Sequence, residues 1–335
     1  MVCGARASNK ANQGSLLAMT TDELRALVKK KHKKVELLSR MTRDVLCHMA
    51  VDMVSKNYLV NDGHNSCFLD SLLVALLAAQ KSGNSWMHRH IWLAQPNKIW
   101  PNNPGLADLA GKIRVEIKKL LFPLDVKLNR HNAKDLRKMF EKFDTMYVQQ
   151  VRSFSPRTEW LRTQNDPLDV IIELYRVFQI PDGAYAKLGK NTQSVSISTP
   201  MIDVFTLMGM GKKKVYLDEF VPINKNMEIE MLRAKIMYVT VQRNYMDERK
   251  IMTQVIPSKT VNLQLNKKVL RLSSALVHIG SSPTSGHYVA YICDHKTNMW
   301  YLYDDLQDHL RLIGDFDDLS KNKKITSNIV GLIYV

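Results

Sequence analysis

Two hydrophobic patterns divide the chain: up to about residue 180 apolar positions recur at helical spacing, and from Asn191 onward they fall into short β-type runs separated by turns. Thr20 opens the first helix, with Glu23 three residues on as its capping-box partner and Leu24, Leu27, Val28, Val35, Leu38 and Val45 at roughly helical intervals. Leu72 to Ala79 is apolar all round, which marks a central buried helix, and Ser66 is placed to cap it. A loop-rich stretch with Trp86, Trp92 and Trp100, broken by Pro96, Pro101 and Pro104, leads into basic amphipathic helices over Leu106 to Leu121 and Ala133 to Phe143. Asp166 as N-cap, Pro167 in the first turn and apolar Leu168, Ile171, Ile172, Leu174, Tyr175 and Phe178 predict a further helix that ends before Pro181-Asp182-Gly183.

The β-type runs are Ser194 to Ile197, Val204 to Leu207, Val215 to Leu217, Ile236 to Gln242, Ile251 to Ile256, Leu270 to Ile279, Tyr288 to Ile292, Trp300 to Tyr303 and Ile329 to Val335. Helices first and strands later predict an α+β chain with the Cys67 helix laid against a sheet. Residues 1–19 are small and polar and read as a flexible N-terminus; residues 20–56 read as a basic helical extension ahead of the core.

Composition narrows the class. At 335 residues and 45% hydrophobic the chain can build a large core, and no apolar run approaches the roughly 18 residues of a membrane helix, so the expected compartment is cytoplasm or nucleus, with no membrane partner. Four scattered cysteines (Cys3, Cys47, Cys67, Cys293) without a CxxC pair suggest neither a disulfide framework nor a four-cysteine zinc site. The formal charge of +16 permits an anionic partner, above all through Lys29-Lys30-Lys31-His32-Lys33-Lys34, although such a run is also the ordinary solvated face of a helix. No zinc-finger or RNP-type motif accompanies it, so no nucleic acid is required.

The chemistry centres on Asn65-Ser66-Cys67-Phe68-Leu69-Asp70-Ser71. A cysteine in a first helical turn faces unpaired N–H groups and the positive end of the helix dipole, which favour a thiolate; a buried packing cysteine is the alternative. A second element is a hairpin whose arms run from Gly286-His287-Tyr288 and to Tyr303-Asp304-Asp305 around His295 to Asn298. A two-residue turn sets His287 directly opposite Asp304, a four-residue turn keeps Asp304 on the same face one step along, and a three-residue turn selects Asp305. A histidine oriented by a carboxylate is what a cysteine nucleophile needs, and a His–Asp pair can also simply stabilise a hairpin.

Taken in order, these segments resemble the ubiquitin-specific protease family of papain-like cysteine deubiquitinases over roughly residues 57–335. Asn65 to Ser71 is similar to that family's Cys box, closest to the cylindromatosis-type variant. Gln164-Asn165-Asp166-Pro167-Leu168-Asp169 resembles its Gln-Gln-Asp helix, and Leu276 to Gly280, Gly286 to Tyr291 and Trp300 to Asp305 resemble its His box. The resemblance implies a helical thumb carrying Cys67, an antiparallel palm sheet carrying His287 and Asp304, and short fingers around 191–235. It implies Cys67 as nucleophile, His287 as general base and acid, Asp304 as orienting carboxylate with Asp305 as understudy, and Gln164, Asp166, Gly286 and Tyr288 against the ubiquitin tail. No cofactor is expected, and no metal, since the fingers lack paired CxxC ligands.

Asp62 departs from the pattern by standing where the family carries an oxyanion-donating Asn, because an ionised carboxylate repels an oxyanion. Asn61, Asn65 and the Cys67 N–H are the other donors to hand. His64 stands where the family has glycine. The implied activity is hydrolysis after the C-terminal glycine of ubiquitin through a Cys67 thioester. An isopeptidase for another modifier such as SUMO, and a non-catalytic ubiquitin-binding module, are the alternatives.

Overall fold

A computed structural model describes residues 20–31, 59, 61, 65–81, 86–121, 132–151, 160–161, 165–180, 201–203, 213–217, 236–243, 250–263, 268–282, 285–307 and 310–335. The expected strand Ser194 to Ile197, the strand Val204 to Leu207, residues 1–19 and most of the 20–56 extension lie outside these residues. So do Asp62, His64 and Gln164.

Helix α1 (Thr21–Lys31) begins as its capping signals predict: Thr20 N donates to Glu23 Oε2 at 2.6 Å and Glu23 N to Thr20 Oγ1 at 3.3 Å. Helix α2 (Cys67–Lys81) is buried on nearly every side, with Phe68, Leu69, Leu72, Leu73 and Ala75 fully enclosed. A helix apolar all round is stable only between two layers, and α2 lies between them. On one side stand α3 (Pro96–Ile99), α4 (Pro104–Leu121), α5 (Lys134–Val151) and α6 (Pro167–Phe178), and on the other the main sheet. Aromatic rings fill the helical layer: Trp100 meets Phe143 and Tyr147 edge-on, and Trp160 packs between Phe68 and Phe140.

The sheet is formed by β1 (Met201–Asp203), β3 (Met237–Gln242), β5 (Thr260–Leu263), β6 (Lys268–Ser282), β7 (Ser285–Asp294), β8 (Met299–Tyr303), β9 (Arg311–Gly314) and β10 (Ile329–Tyr334). Their order is β1-β3-β10-β6-β7-β8-β9, with β5 paired to part of β6, and every pairing except β1 with β3 is antiparallel. A separate two-stranded parallel sheet joins β2 (Lys214–Tyr216) to β4 (Gln254–Ile256). Period-two alternation sorts the strand residues between two cores. Tyr238, Leu276, Tyr288, Ala290 and Ile333 face α2, whereas Val239, Val277, Val289 and Leu332 face a second core with Val215, Val255 and Leu319. The α+β expectation holds, and Ser274 Oγ bonds the Ala75 carbonyl at 3.2 Å where sheet and helix meet.

Local departures have physical reasons. The strand expected over Ile251 to Ile256 is only β4, because the buried Arg243 guanidinium takes the Ile251 and Thr253 carbonyls, each at 2.8 Å, away from any ladder. β5, β9 and the short helices α7 (Phe316–Lys321) and α8 (Lys323–Thr326) each carry too few apolar residues to show a period in the sequence. Among the described residues no helix is long and apolar enough to cross a membrane.

Candidate active site

Cys67 is the first residue of α2. The chain reaches it through Asn65, an exposed residue with φ of 62° in the left-handed region, and through Ser66, whose carbonyl accepts the Leu69 and Asp70 amides at 2.9 and 3.0 Å. Asparagine tolerates that backbone better than most residues, so the turn delivers the thiol to the helix mouth without a glycine. The Cys67 side chain is almost wholly enclosed, at 3% exposure.

His287 stands near the start of β7, opposite Ile279 of β6. The β7–β8 ladder runs from Asp294–Met299 to Ala290–Tyr303, so the hairpin turn is the four-residue form, His295 to Asn298, with Asn298 at φ of 56°. That length keeps the carboxylate after β8 on the His287 face. His287 Nε2 lies 2.8 Å from Asp304 Oδ1 and 3.4 Å from Asp305 Oδ1. The ring also hydrogen-bonds the Cys67 side chain. With Nε2 turned to the acids, Nδ1 is the ring atom left to face the sulfur.

The electrostatics follow from these contacts. Burial opposes a charged ring at His287, but hydrogen bonds to Asp304 and Cys67, together with the Asp305 and Cys67 charges, outweigh it and push the imidazole up to about 10. Burial raises Asp304, yet the hydrogen bonds from His287 and from the Leu306 amide (3.0 Å) bring it below its ordinary value. Asp305 is 3% exposed and is held above the usual carboxylate range by burial, with His287 and Asn61 opposing. Asn61 Nδ2 donates to Asp305 Oδ2 at 3.0 Å and its amide to the Asp305 carbonyl at 3.3 Å. Asn61 therefore braces the second acid in this conformation.

Asp166 caps α6. Its Oδ1 accepts the Leu168 amide at 2.8 Å while Asp169 Oδ2 accepts the Asp166 amide at 3.0 Å, a complete capping box. Burial pushes its carboxyl up to about 6, against the Leu168 hydrogen bond. Its charge acts on the buried phenols of Tyr238 and Tyr288, both held well above the ordinary tyrosine value, first by burial and then by Asp166. Tyr288 also feels Cys67, so it lies between the α6 cap and that thiol; its ring packs on His278 with centroids 4.6 Å apart. Gly286 is required by close approach, because a Cβ there would stand 2.5 Å from both His278 Nε2 and the Ile279 carbonyl.

A family model described as ubiquitin carboxyl-terminal hydrolase matches residues 58–309. The chain belongs to the ubiquitin carboxyl-terminal hydrolase family. Its papain-like α+β architecture is the frame in which the cysteine, histidine and carboxylates above meet. Ubiquitin carboxyl-terminal hydrolase 26 of Arabidopsis thaliana is 42% identical over 57 residues, 17% of this chain and 5% of that protein. Ubiquitin carboxyl-terminal hydrolase 29 of Homo sapiens is 50% identical over 36 residues, 11% of this chain and 4% of that protein. The chain thus aligns with only a small part of either relative.

Within this hydrolase-family site, His287, Asp304 and Asp305 present ligand-type atoms within 4.8 Å of one another. The His287 ring draws the acids together, with Nε2 2.8 Å from Asp304 Oδ1 and 3.4 Å from Asp305 Oδ1. Sequence reasoning missed Asp70, which is fully buried and accepts from Ser66 Oγ at 2.7 Å. The signal was present as a Ser–Asp pair one helical turn apart.

Proposed function

We propose that the chain is a thiol-dependent deubiquitinase that cleaves isopeptide or peptide bonds after the C-terminal glycine of ubiquitin. The observation that carries this reading is one imidazole hydrogen-bonded to both the Cys67 thiol and the Asp304 carboxylate. Cys67 attacks the glycine carbonyl as the thiolate, with His287 beside it as the imidazolium. The ring gives its proton to the departing amine, and as the free base it then takes one from the water that hydrolyses the thioester. Asp304 fixes the ring's orientation and steadies its charge. The oxyanion develops at the mouth of α2, where the Cys67 N–H is a donor and Asn61 or Asn65 supplies a second; Asp62, while ionised, supplies none.

On the substrate side, Asp166 offers a carboxylate for an arginine of the ubiquitin tail, with Gln164, Gly286 and Tyr288 along the approach to Cys67. Residues 57–335 form the catalytic domain, with a Cys box of the cylindromatosis type and short zinc-free fingers drawn from residues around 191–235. The basic helix of the 20–56 extension, with acidic Asp22 and Glu23 confined to its first turn, meets an anionic partner in the cytoplasm or nucleus.

Hydrolysis of ubiquitin–aminomethylcoumarin by the full chain, run beside the SUMO conjugate, tests the reading. Turnover of the ubiquitin substrate that Cys67→Ala abolishes supports it; no turnover, or turnover of SUMO alone, overturns it.

A further inference from the structure

His287 sits where the sheet, among the described strands, is only two strands wide. β10 stops pairing with β6 at Ile329–Val277 and β8 stops pairing with β7 at Ala290–Tyr303, so from the pair His278–Tyr288 to its turn the β6–β7 hairpin projects beyond both neighbours. Within this projection Ile279 stands opposite His287. The outer edge of β6 carries carbonyls that β10 does not reach. The His278 amide donates to the Asn328 carbonyl at 3.0 Å, which puts the His278 N–H and C=O, and by period two those of Gly280, on the β10 side.

Lys250 is buried beside this edge. Its ammonium donates to the His278 carbonyl, to the Gly280 carbonyl at 3.2 Å and to Asn328 Oδ1 at 2.6 Å. Asn328 Nδ2 is anchored on the Lys324 carbonyl at 2.7 Å, which turns the amide oxygen to the ammonium. All three ammonium hydrogens are thereby used, two on the strand that backs His287 and one on the lead-in to β10. No carboxylate is among the Lys250 partners within the described residues; the charged or titratable groups that act with it are the Arg243 guanidinium and the His278 ring. Burial, and then Arg243, pushes Lys250 down to about 8. A buried cation held by neutral acceptors is costly, and what it secures is an edge of backbone carbonyls that no strand covers.

We infer that Lys250 is a positioning residue for His287: by closing the open edge of the β6–β7 projection it fixes where the imidazole meets Cys67 and Asp304. The inference rests on the hydrolase reading above. Lys250 acts through β6 and not on the reacting atoms, so its loss leaves the substrate path alone and loosens the ring's two contacts.

The test compares the full chain as wild type and as Lys250→Met. Nitrogen NMR of the histidine side chains reads the His287 titration directly. The wild-type ring should lose its proton near its raised value of about 10, and in folded Lys250→Met, with the Asp304 and Cys67 contacts loosened, closer to the ordinary value of about 6.5. In ubiquitin–aminomethylcoumarin hydrolysis Lys250→Met should lose about 10²-fold in kcat with KM little changed, the scale expected when reacting groups drift by roughly 1 Å. If Lys250→Met does not fold, the wild-type rate profile decides. There kcat should fall about tenfold from pH 7 to pH 9 as Lys250 gives up its proton near 8, whereas the imidazolium itself persists to about 10. A His287 titration unchanged in Lys250→Met, an unchanged kcat, or a wild-type kcat that is flat from pH 7 to pH 9 overturns the assignment. The titration is read without turnover, so an inactive wild type counts against the hydrolase reading, and an active wild type whose His287 titration ignores Lys250→Met counts against this one.

Discussion

His287 and Asp304 are bonded at 2.8 Å although the sheet does not pair them: the β7–β8 ladder closes at Ala290–Tyr303, and Asp304 is reached only after the chain has left the strand. The Leu306 amide, 3.0 Å from the same Asp304 oxygen, folds the chain back so that the carboxylate points at the ring. Turn length and this local hydrogen bond together position the acid.

Asp304→Asn keeps the shape of that contact but removes the charge that holds the ring protonated and oriented. It should lower kcat for ubiquitin–aminomethylcoumarin by about 10²-fold with little change in KM, within the range of general acid–base contributions. Steady-state kinetics check this, and a kcat within twofold of wild type would remove Asp304 from the mechanism.

The His287 imidazole, raised to about 10 against an unfolded value near 6.5, links stability to pH. A folded pKa above the unfolded one stabilises fully below pH 6.5, progressively less above it, and not at all beyond pH 10. Urea midpoints of wild type and His287→Gln should therefore differ most at pH 6 and converge by pH 10. A gap that widens with pH would reverse the assignment of the ring's charge.

Much of this was legible in the sequence, for local reasons. Asp166, Pro167 and Asp169 announce α6 because capping is settled within four residues, and the four-residue turn keeps Asp304 on the His287 face, although the ring lies 3.4 Å from Asp305 as well. What stayed hidden depends on contacts between distant segments. Asn61 braces Asp305 across 244 positions, Ser274 bonds the Ala75 carbonyl where sheet and helix meet, and Arg243 strips β4 of residues by taking their carbonyls. No periodicity records such pairings.

Arg176 shows how the helical layer is locked. Its Nη1 bonds Asp144 of α5 at 2.6 Å and Glu173 of α6 at 2.9 Å, and both acidic side chains are 2% exposed. Burial pushes Glu173 up to about 8 even with Arg176 opposing. Arg176→Met should cost about 3–5 kcal/mol in urea unfolding, because two buried carboxyls lose their cation. Adding Glu173→Gln should recover part of it; a loss under about 1 kcal/mol would mean that water reaches the pair.

Asp166→Asn separates cap from charge, since asparagine caps a helix as well as aspartate does. The variant should keep wild-type stability and kcat while KM for ubiquitin–aminomethylcoumarin rises about tenfold, the cost of one partly buried charge pair. An unchanged KM would confine Asp166 to capping.

The most direct measurement is intact-mass spectrometry of the folded chain after incubation with ubiquitin carrying an electrophilic C-terminus. One ubiquitin should add to the wild type, map to Cys67 and be absent from Cys67→Ser. A folded wild type that stays at its own mass, or an adduct that persists when Cys67 is replaced, would contradict the account.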